Sequence, residues 1–385
     1  MAIIKFKTLL SLIIFSVLLI VNVDANGQID DKRYIEAKQL FLSGNSGQAR
    51  ILLTEIIEDN PNNCEDAKLL RAYCALSTND VESAATDLKA SESKLYGRYD
   101  WDYANACYLS IVGKYSESII YFDRVIELKK DYTLAYNNRG NAWQQLGNYN
   151  KAIDDYRMAI QIDSTFAISY NNLGSAIYYK YNGDQEAASK SDLNLALEYT
   201  DKAIRLDPNL CLAKRNKGLI LLFLKRNSEA LTTLQQAVSC APNDYVNRLS
   251  LGKALSTFER YAEAEVQYKY ILEQTPLQPD AMLEFATIQG YLGRYSESYT
   301  LLETVSKLRA DMSAVSQYRT AITAALEKDK SKMLKHLKKA RKKYYFSVRD
   351  NKISFIQDKV FKPYQKDNDF VKESNKIRMF KIDAR

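Results

Sequence analysis

A period of 34 residues constrains this chain more than any other feature. From Gly140, steps of 34 lead back to Ala106 and Ala72, and one step of 35 reaches Ala37. Forward, 34 leads to Gly174, 44 to Gly218, and 34 each to Gly252 and Ala286. A second series gives Ala49, Ala84, Ser118, Ala152, Ala196, Ala230, Ala264 and Ser298, with the same ten-residue slip. Two independent positions that share a spacing and a slip mark internal repetition, and periods of 20–50 residues belong to solenoids, propellers or arrays.

The content of one repeat sets its secondary structure. In "LAYNNRGNAWQQLGNYNKAIDDYRMAI", Tyr136, Gly140 and Trp143 fall at i, i+4 and i+7, and so do Ala152, Tyr156 and Ala159. Each set lies on one helix face. Gly147-Asn148 turns the chain between them, with Gly113 and Gly293 in the same register. Pro61, Pro208, Pro242 and Pro276 close four repeats, where a proline ends a helix. Small residues at 140 and 152 let two helices cross closely, and the aromatics fill the space beside the crossing. A single hairpin cannot bury its apolar face, so neighbours must stack. Only 13 glycines and six prolines occur in 385 residues, in keeping with an all-α chain.

These residues resemble the tetratricopeptide repeat family, whose unit is a 34-residue helix-turn-helix. The resemblance covers about nine units, starting near 30, 65, 99, 133, 167, 211, 245, 279 and 313. It implies a right-handed α-solenoid, a superhelix whose first helices line a concave groove. The repeat array is expected over 30–346, with a ten-residue insertion at about 180–192. The insertion is polar around Asn182-Gly183, as a tolerated surface loop would be, with a partner-contacting lobe as its rival reading. The last unit departs at both small positions, with Thr320 and Lys332. Residues 347–376 are expected to form two short capping helices broken near Pro363, packed through Ile353, Phe355, Ile356, Phe361, Tyr364 and Phe370. Residues 377–385 are expected to fray.

The amino terminus reads as a signal peptide over 1–25. Lys5 and Lys7 precede an apolar run, Leu9 to Val21, and Val23-Asp24-Ala25 offers small residues for cleavage after Ala25. The run is short for a membrane span of about 20 residues; a retained anchor is the alternative. The expected location is the periplasm, the cell envelope or outside the cell.

Five cysteines, none in CxxC spacing, give no zinc pattern. Cys211 opens a first helix and Cys240 ends the partner helix, so hairpin geometry brings them close enough for a disulfide to be possible, within the strict geometry such a bridge requires. Cys107 is expected to project toward the groove and Cys74 to be buried. The one histidine, His336, falls at an inward register, and no other histidine offers a Ser-His-Asp or Cys-His set. Adjacent carboxylates such as Asp154-Asp155 point in different directions and read as solvated surface. No phosphate loop or metal motif appears. No catalytic residue, metal or cofactor is therefore expected, and an enzyme with an unrecognised site is the weakest reading.

Binding is the stronger one. The resemblance places Asn137, Asn138, Asn141, Gln144, Asn171, Asn172, Ser175, Tyr178, Arg215 and Asn216 along the groove. An amide offers both a donor and an acceptor to an extended peptide backbone, with Leu222 and Phe223 adding apolar contact. The family's clamp for C-terminal carboxylates uses Lys and Arg where Ile168 and Asn172 stand, so that specificity is not implied. The expected function is an exported scaffold or adaptor for a protein or extended peptide.

Charge points to a second surface. From Lys328 onward there are 19 basic and seven acidic residues, against a formal net of +7 for the whole chain. A solvated face is the plain reading of such a run; contact with an anionic membrane, envelope polymer or acidic protein is the rival. Nucleic acid is not indicated by any recognition motif.

Overall fold

Helical hairpins follow one another from Lys32 to Lys342, and the described residues contain no strand. The computed structural model describes residues 32–181, 189–343, 345, 355 and 358–378. The segment read as a signal peptide lies outside them, as do Ile353 and Ile356. The chain divides into two compact units between Ile220 and Leu221.

Among its described residues, the first unit contains five hairpins. They are α1 (Lys32–Leu42) with α2 (Ser46–Asp59), α3 (Glu65–Ser77) with α4 (Val81–Leu95), and α5 (Tyr99–Ile111) with α6 (Tyr115–Leu128). Then come α7 (Thr133–Gln145) with α8 (Tyr149–Ile162), and α9 (Ala167–Lys180) with α10 (Lys190–Leu206). Helix α11 (Cys211–Phe223) carries the division. The second unit holds α12 (Asn227–Cys240), α13 (Tyr245–Thr257) with α14 (Tyr261–Gln274), and α15 (Pro279–Tyr291) with α16 (Tyr295–Leu308). It ends with α17 (Ser313–Leu326), α18 (Lys330–Lys342) and α19 (Asn368–Arg378).

The small residues sit at the crossings. A Cβ on Gly140 would lie 2.7 Å from the Tyr156 ring, and one on Gly252 the same distance from the Tyr268 ring. At Gly174 it would meet the Ala196 carbonyl oxygen at 2.7 Å, which a side-chain adjustment cannot relieve. Tyr156 and Tyr268 are fully buried, so the missing methyl is where each ring packs.

Among the described residues, the hairpin turns other than the one between α9 and α10 use one device. The second residue after the first helix adopts a left-handed conformation, and the next N–H reaches back to close the helix. Gly113 and Gly147 have φ of 81° and 79°. The Lys114 N–H donates to the Leu109 carbonyl at 2.8 Å and the Asn148 N–H to the Trp143 carbonyl at 2.9 Å. This back-bond satisfies a carbonyl that a helix end would otherwise leave open. Non-glycine residues hold the same place in four turns: Asn79, Lys225, Glu259 and Lys328 all have positive φ. Asparagine tolerates that conformation, but lysine and glutamate are strained there by their Cβ.

The insertion falls at the turn between α9 and α10. Residues 182–188 of it lie outside the described residues, while its remaining ends belong to the two helices and their flanks. The Tyr181 hydroxyl donates to the Asp192 carboxylate across the turn. After α18, a 3-10 turn at Lys359–Tyr364 contains Pro363 and leads to α19. Phe355, Phe361 and Phe370 pack together, with Phe361 5.4 Å from Phe355 and 5.8 Å from Phe370 between ring centres. They cover Tyr318 and Ala321 of α17 and Met333 and Leu337 of α18. Ile377, expected to begin a frayed tail, is instead buried in α19, because its side chain joins this same cluster. Residues 379–385 lie outside the described residues.

The turn strain is testable. Lys225 is exposed and strained at φ 59°, so Lys225→Gly is expected to raise stability by about 1 kcal/mol. Gly147→Lys is expected to lower it by a similar amount. Urea unfolding midpoints of the two variants check both, and equal midpoints would show the turn to be unstrained.

Candidate binding surfaces

The asparagines expected to line a groove are largely withdrawn from solvent. Asn137 is 0% exposed and Asn172 is 5% exposed. Asn138, Asn141, Asn171, Ser175, Arg215 and Asn216 are likewise buried, and only Gln144 and Tyr178 are half-buried.

Their hydrogen bonds run from one first helix to the next. The Asn138 amide of α7 donates to the Tyr103 hydroxyl of α5 at 2.7 Å. From α9, the Asn172 amide donates to the side-chain oxygens of Asn137 and Asn141, at 3.1 and 3.2 Å, and Ser169 donates to Asn137 at 3.1 Å. From α11, Asn216 donates to Asn171 at 2.9 Å. Within helices, Asn137 donates to Asn138 and Asn171 to Asn172, each at 3.1 Å. Tyr156 brings α8 into the set by donating to Asn141 at 2.8 Å. Each of the six asparagine side-chain oxygens therefore accepts at least one bond from a neighbouring side chain; Arg215 supplies the long one to Asn216, at 3.4 Å.

This corrects the sequence expectation. The amides are a polar seam between successive hairpins, so they do not stand ready to receive a peptide backbone. Buried amides need partners, and the residue one repeat away supplies them. The signal lay in the sequence, since Asn137-Asn138 and Asn171-Asn172 occupy the same register in adjacent repeats.

A second set of buried polar groups is not legible in the sequence pattern. Asp155, read as solvated, is 5% exposed and paired with Arg139. The Arg139 guanidinium donates to both Asp155 oxygens, at 2.9 and 2.6 Å, and to Asp123 at 2.6 Å. Burial raises the Asp155 pKa and Arg139 opposes it. Arg71 grips Asp87 in the same two-pronged way, at 2.8 and 2.7 Å. In both hairpins the arginine precedes the aspartate by 16 residues, a spacing that joins the first helix to the second. Such forked pairs fix geometry as well as charge.

The remaining candidates for chemistry are packing residues. Cys107, expected at the groove, is fully buried, as is Cys74, and burial pushes both thiols up to about 12. Cys64, Cys74 and Cys107 are free. His336 is half-buried, with its Nδ1 2.8 Å from the Gln317 side-chain oxygen. Burial, and then Lys339, Lys335 and Lys332, push its pKa down to about 4, so the ring is neutral near pH 7. No group of three metal-ligating side chains gathers among the described residues. No helix among them is long and apolar enough to cross a membrane.

An accessible surface lies instead at the turn end of the fourth hairpin, beside Lys180 at the end of α9. An open recess of about 410 Å³ is lined by Gly147, Asn148, Tyr149, Asn150, Lys151 and Lys180. Trp143, Gln144, Gln145, Tyr178 and Tyr179 at the ends of α7 and α9 are half-buried. The Lys151 ammonium lies 4.0 Å from the centre of the Trp143 ring, and Tyr178 meets Tyr179 edge-on at 4.9 Å. Burial, and next the nearby Tyr179, raise the Tyr149 phenol's pKa. The surface thus combines aromatic faces, amides and two lysines.

The seam makes a prediction about stability. Asn172→Ala removes two donors and leaves the Asn137 and Asn141 oxygens short of partners. It is expected to cost about 1–3 kcal/mol. Gln145→Ala, at the accessible end of α7, is expected to change stability by less than about 0.5 kcal/mol. Equal losses in urea unfolding would show that the amides carry no structural role.

A family model for the tetratricopeptide repeat matches residues 133–166. Superkiller complex protein 3 of Mus musculus is 29% identical over 139 residues, which is 34% of this chain and 9% of that protein. The STIP1 homolog of Dictyostelium discoideum is 34% identical over 90 residues, 23% of this chain and 16% of that protein. The chain therefore spans only a small part of these curated relatives. Among solved structures, the Cut9–Hcn1 hetero-tetramer of the APC/C aligns with a TM-score of 0.56 and 16% identity, over 75% of this chain and 54% of that one. A tetratricopeptide repeat protein from Parabacteroides merdae aligns with a TM-score of 0.52 and 13% identity, over 67% and 98%. These likenesses agree with the hairpins, the small-residue crossings and the shared turn device: residues 133–166 are a tetratricopeptide repeat, and the described hairpins share the fold of tetratricopeptide repeat arrays.

Proposed function

We propose that the chain is an exported scaffold that holds a protein or extended peptide, gripping it at the turn end of the fourth hairpin, beside the end of α9. The open recess beside Tyr149 and Lys151 carries this reading. The recess is open and lined largely by polar residues rather than enclosed and apolar, which suits a chain laid across it more than a buried small ligand. Trp143, Tyr178 and Tyr179 offer rigid aromatic area of the kind that dominates binding energy. Gln144, Gln145, Asn148 and Asn150 can meet a backbone's N–H and C=O groups. The buried amide seam behind them holds α7 and α9 at fixed spacing, so the recess is preorganised and a partner loses less ordering entropy on docking.

Export and the disulfide belong to the same proposal. The leading segment has the pattern of a secretory signal, and an oxidising compartment would allow Cys211 and Cys240 to bridge. The other three cysteines are buried and free, which leaves these two as a pair. Non-reducing peptide mapping of the protein from its source checks both. Asn26 at the amino terminus and a linked Cys211–Cys240 peptide are expected; a chain starting at Met1 with both thiols free contradicts them.

The binding surface is checked by photo-crosslinking in the source cells. A photoreactive residue replacing Tyr179 or Lys151 is expected to capture a defined partner, whereas one replacing Glu198, on the exposed face of α10, is not. Capture from Glu198 with none from positions 151 and 179 would place the partner elsewhere.

A further inference from the structure

We propose that α18 lies against an anionic phospholipid surface through a stripe of four lysines. Lys335, Lys338, Lys339 and Lys342 fall at i, i+3, i+4 and i+7, and all four are exposed. The opposite face, Met333, Leu337 and Ala340, is fully buried. The lysines therefore form one line on the outside of the helix, about 10 Å long at 1.5 Å per residue.

The other charges around α18 are already engaged. Lys330 pairs with Asp367 at 2.7 Å and Asp369 at 3.1 Å. Lys332 lies 3.2 Å from the centre of the Tyr299 ring and 3.9 Å from Glu327. Arg341 turns to Glu373 of α19 at 2.7 Å, and Lys343 donates to the Ser313 hydroxyl at 2.6 Å. None of the four stripe lysines has an ion-pair partner among the described residues, although acidic groups stand on the neighbouring elements. The acids have been matched to other cations and the stripe left bare.

Bare lysines at these spacings repel one another. Neighbours three and four apart on a helix are about 5–6 Å from each other, inside the Debye length of about 8 Å at physiological salt. The helix dipole favours Lys339 and Lys342 in the last turn, but it does not reach Lys335 and Lys338. An external anion offsets the repulsion for all four.

The chemistry favours a lipid surface over a shaped protein partner. The stripe holds ammonium groups, which act as point charges; the one guanidinium on this helix, suited to forked recognition, is occupied by Glu373. No large apolar side chain of α18 is exposed, so the stripe lacks the desolvated apolar centre of a protein interface. Diffuse positive charge without a pocket is how a polybasic helix reads an anionic bilayer. Lys372 and Lys376 of α19 are exposed as well and add to the local charge. This inference stands apart from the recess proposed for the peptide partner.

The test uses the mature full-length chain and sedimentation with vesicles of phosphatidylglycerol in phosphatidylcholine. Each lysine near such a surface strengthens binding by about fivefold. The combined variant Lys335→Gln, Lys338→Gln, Lys339→Gln and Lys342→Gln is expected to bind more than tenfold more weakly, with a thermal midpoint that does not fall. A control with Lys89, Lys190, Lys225 and Lys307 all changed to Gln is expected to bind like the parent. Parent binding should fall as salt rises and be absent with pure phosphatidylcholine. Equal binding by the stripe variant, or equal binding to neutral vesicles, overturns the proposal. So does a parent that prefers soluble polyphosphate to the vesicles, which would assign the stripe to a polymer.

Discussion

An uncharged amide taken from water into a protein interior costs a few kcal/mol unless another group meets it, and the first unit buries six of them in neighbouring helices. That constraint governs the arrangement there. Asn137, Asn138 and Asn141 on α7 can be satisfied only if α5, α8 and α9 present Tyr103, Tyr156 and Asn172 at hydrogen-bond distance. An apolar interface tolerates sliding, because dispersion has little direction. A chain of amides does not, since a displacement of about 1 Å would carry several donors beyond reach of their acceptors. The spacing of successive first helices is therefore held by the hydrogen bonds as well as by packing.

The close crossings make this possible. Gly140 and Gly174 let each second helix lie against its first helix without an intervening methyl. That proximity brings the Tyr156 ring over α7, with its hydroxyl on Asn141. The left-handed turns of the described hairpins other than α9–α10 then return the chain in the same register. Sequence variation at the turn is absorbed as local strain in Lys225, Glu259 and Lys328; the back-bond is kept in all three. The forked pairs Arg139–Asp155 and Arg71–Asp87 add a second directional link inside single hairpins. In the second unit no further repeat follows the α17–α18 hairpin among the described residues. The aromatic side chains Phe355, Phe361 and Phe370 cover it instead.

Much of the fold was legible in the chain itself, because small residues, turn glycines and closing prolines each mark one hairpin. What sat between hairpins was harder to read. An asparagine on the inner side of a first helix looks the same whether it meets solvent or its counterpart one repeat away. The decisive clue is the recurrence of paired asparagines at a 34-residue spacing, Asn137-Asn138 against Asn171-Asn172. Asp155 was misread for a related reason: its partner stands 16 residues earlier on the other helix, and helix geometry alone carries no information about that neighbour. Cys107 was misplaced because a first-helix position expected to face the groove is closed over by side chains from α5 and α7. The lysine stripe was visible as charge, but its lack of acidic partners became evident only once Glu373, Asp367 and Asp369 were seen bound to other cations.

The two functional readings rest on this rigidity in different degrees. A recess at a fixed pair of hairpins needs the seam, while a charged stripe on one helix does not. The seam is therefore the claim to test first, through a double-mutant cycle on Asn137→Ala and Asn172→Ala followed by urea unfolding. A coupling of about 0.5–3 kcal/mol is expected for two residues that share a hydrogen bond in one network. Strictly additive losses would contradict the seam, and with it the explanation of why these amides are buried.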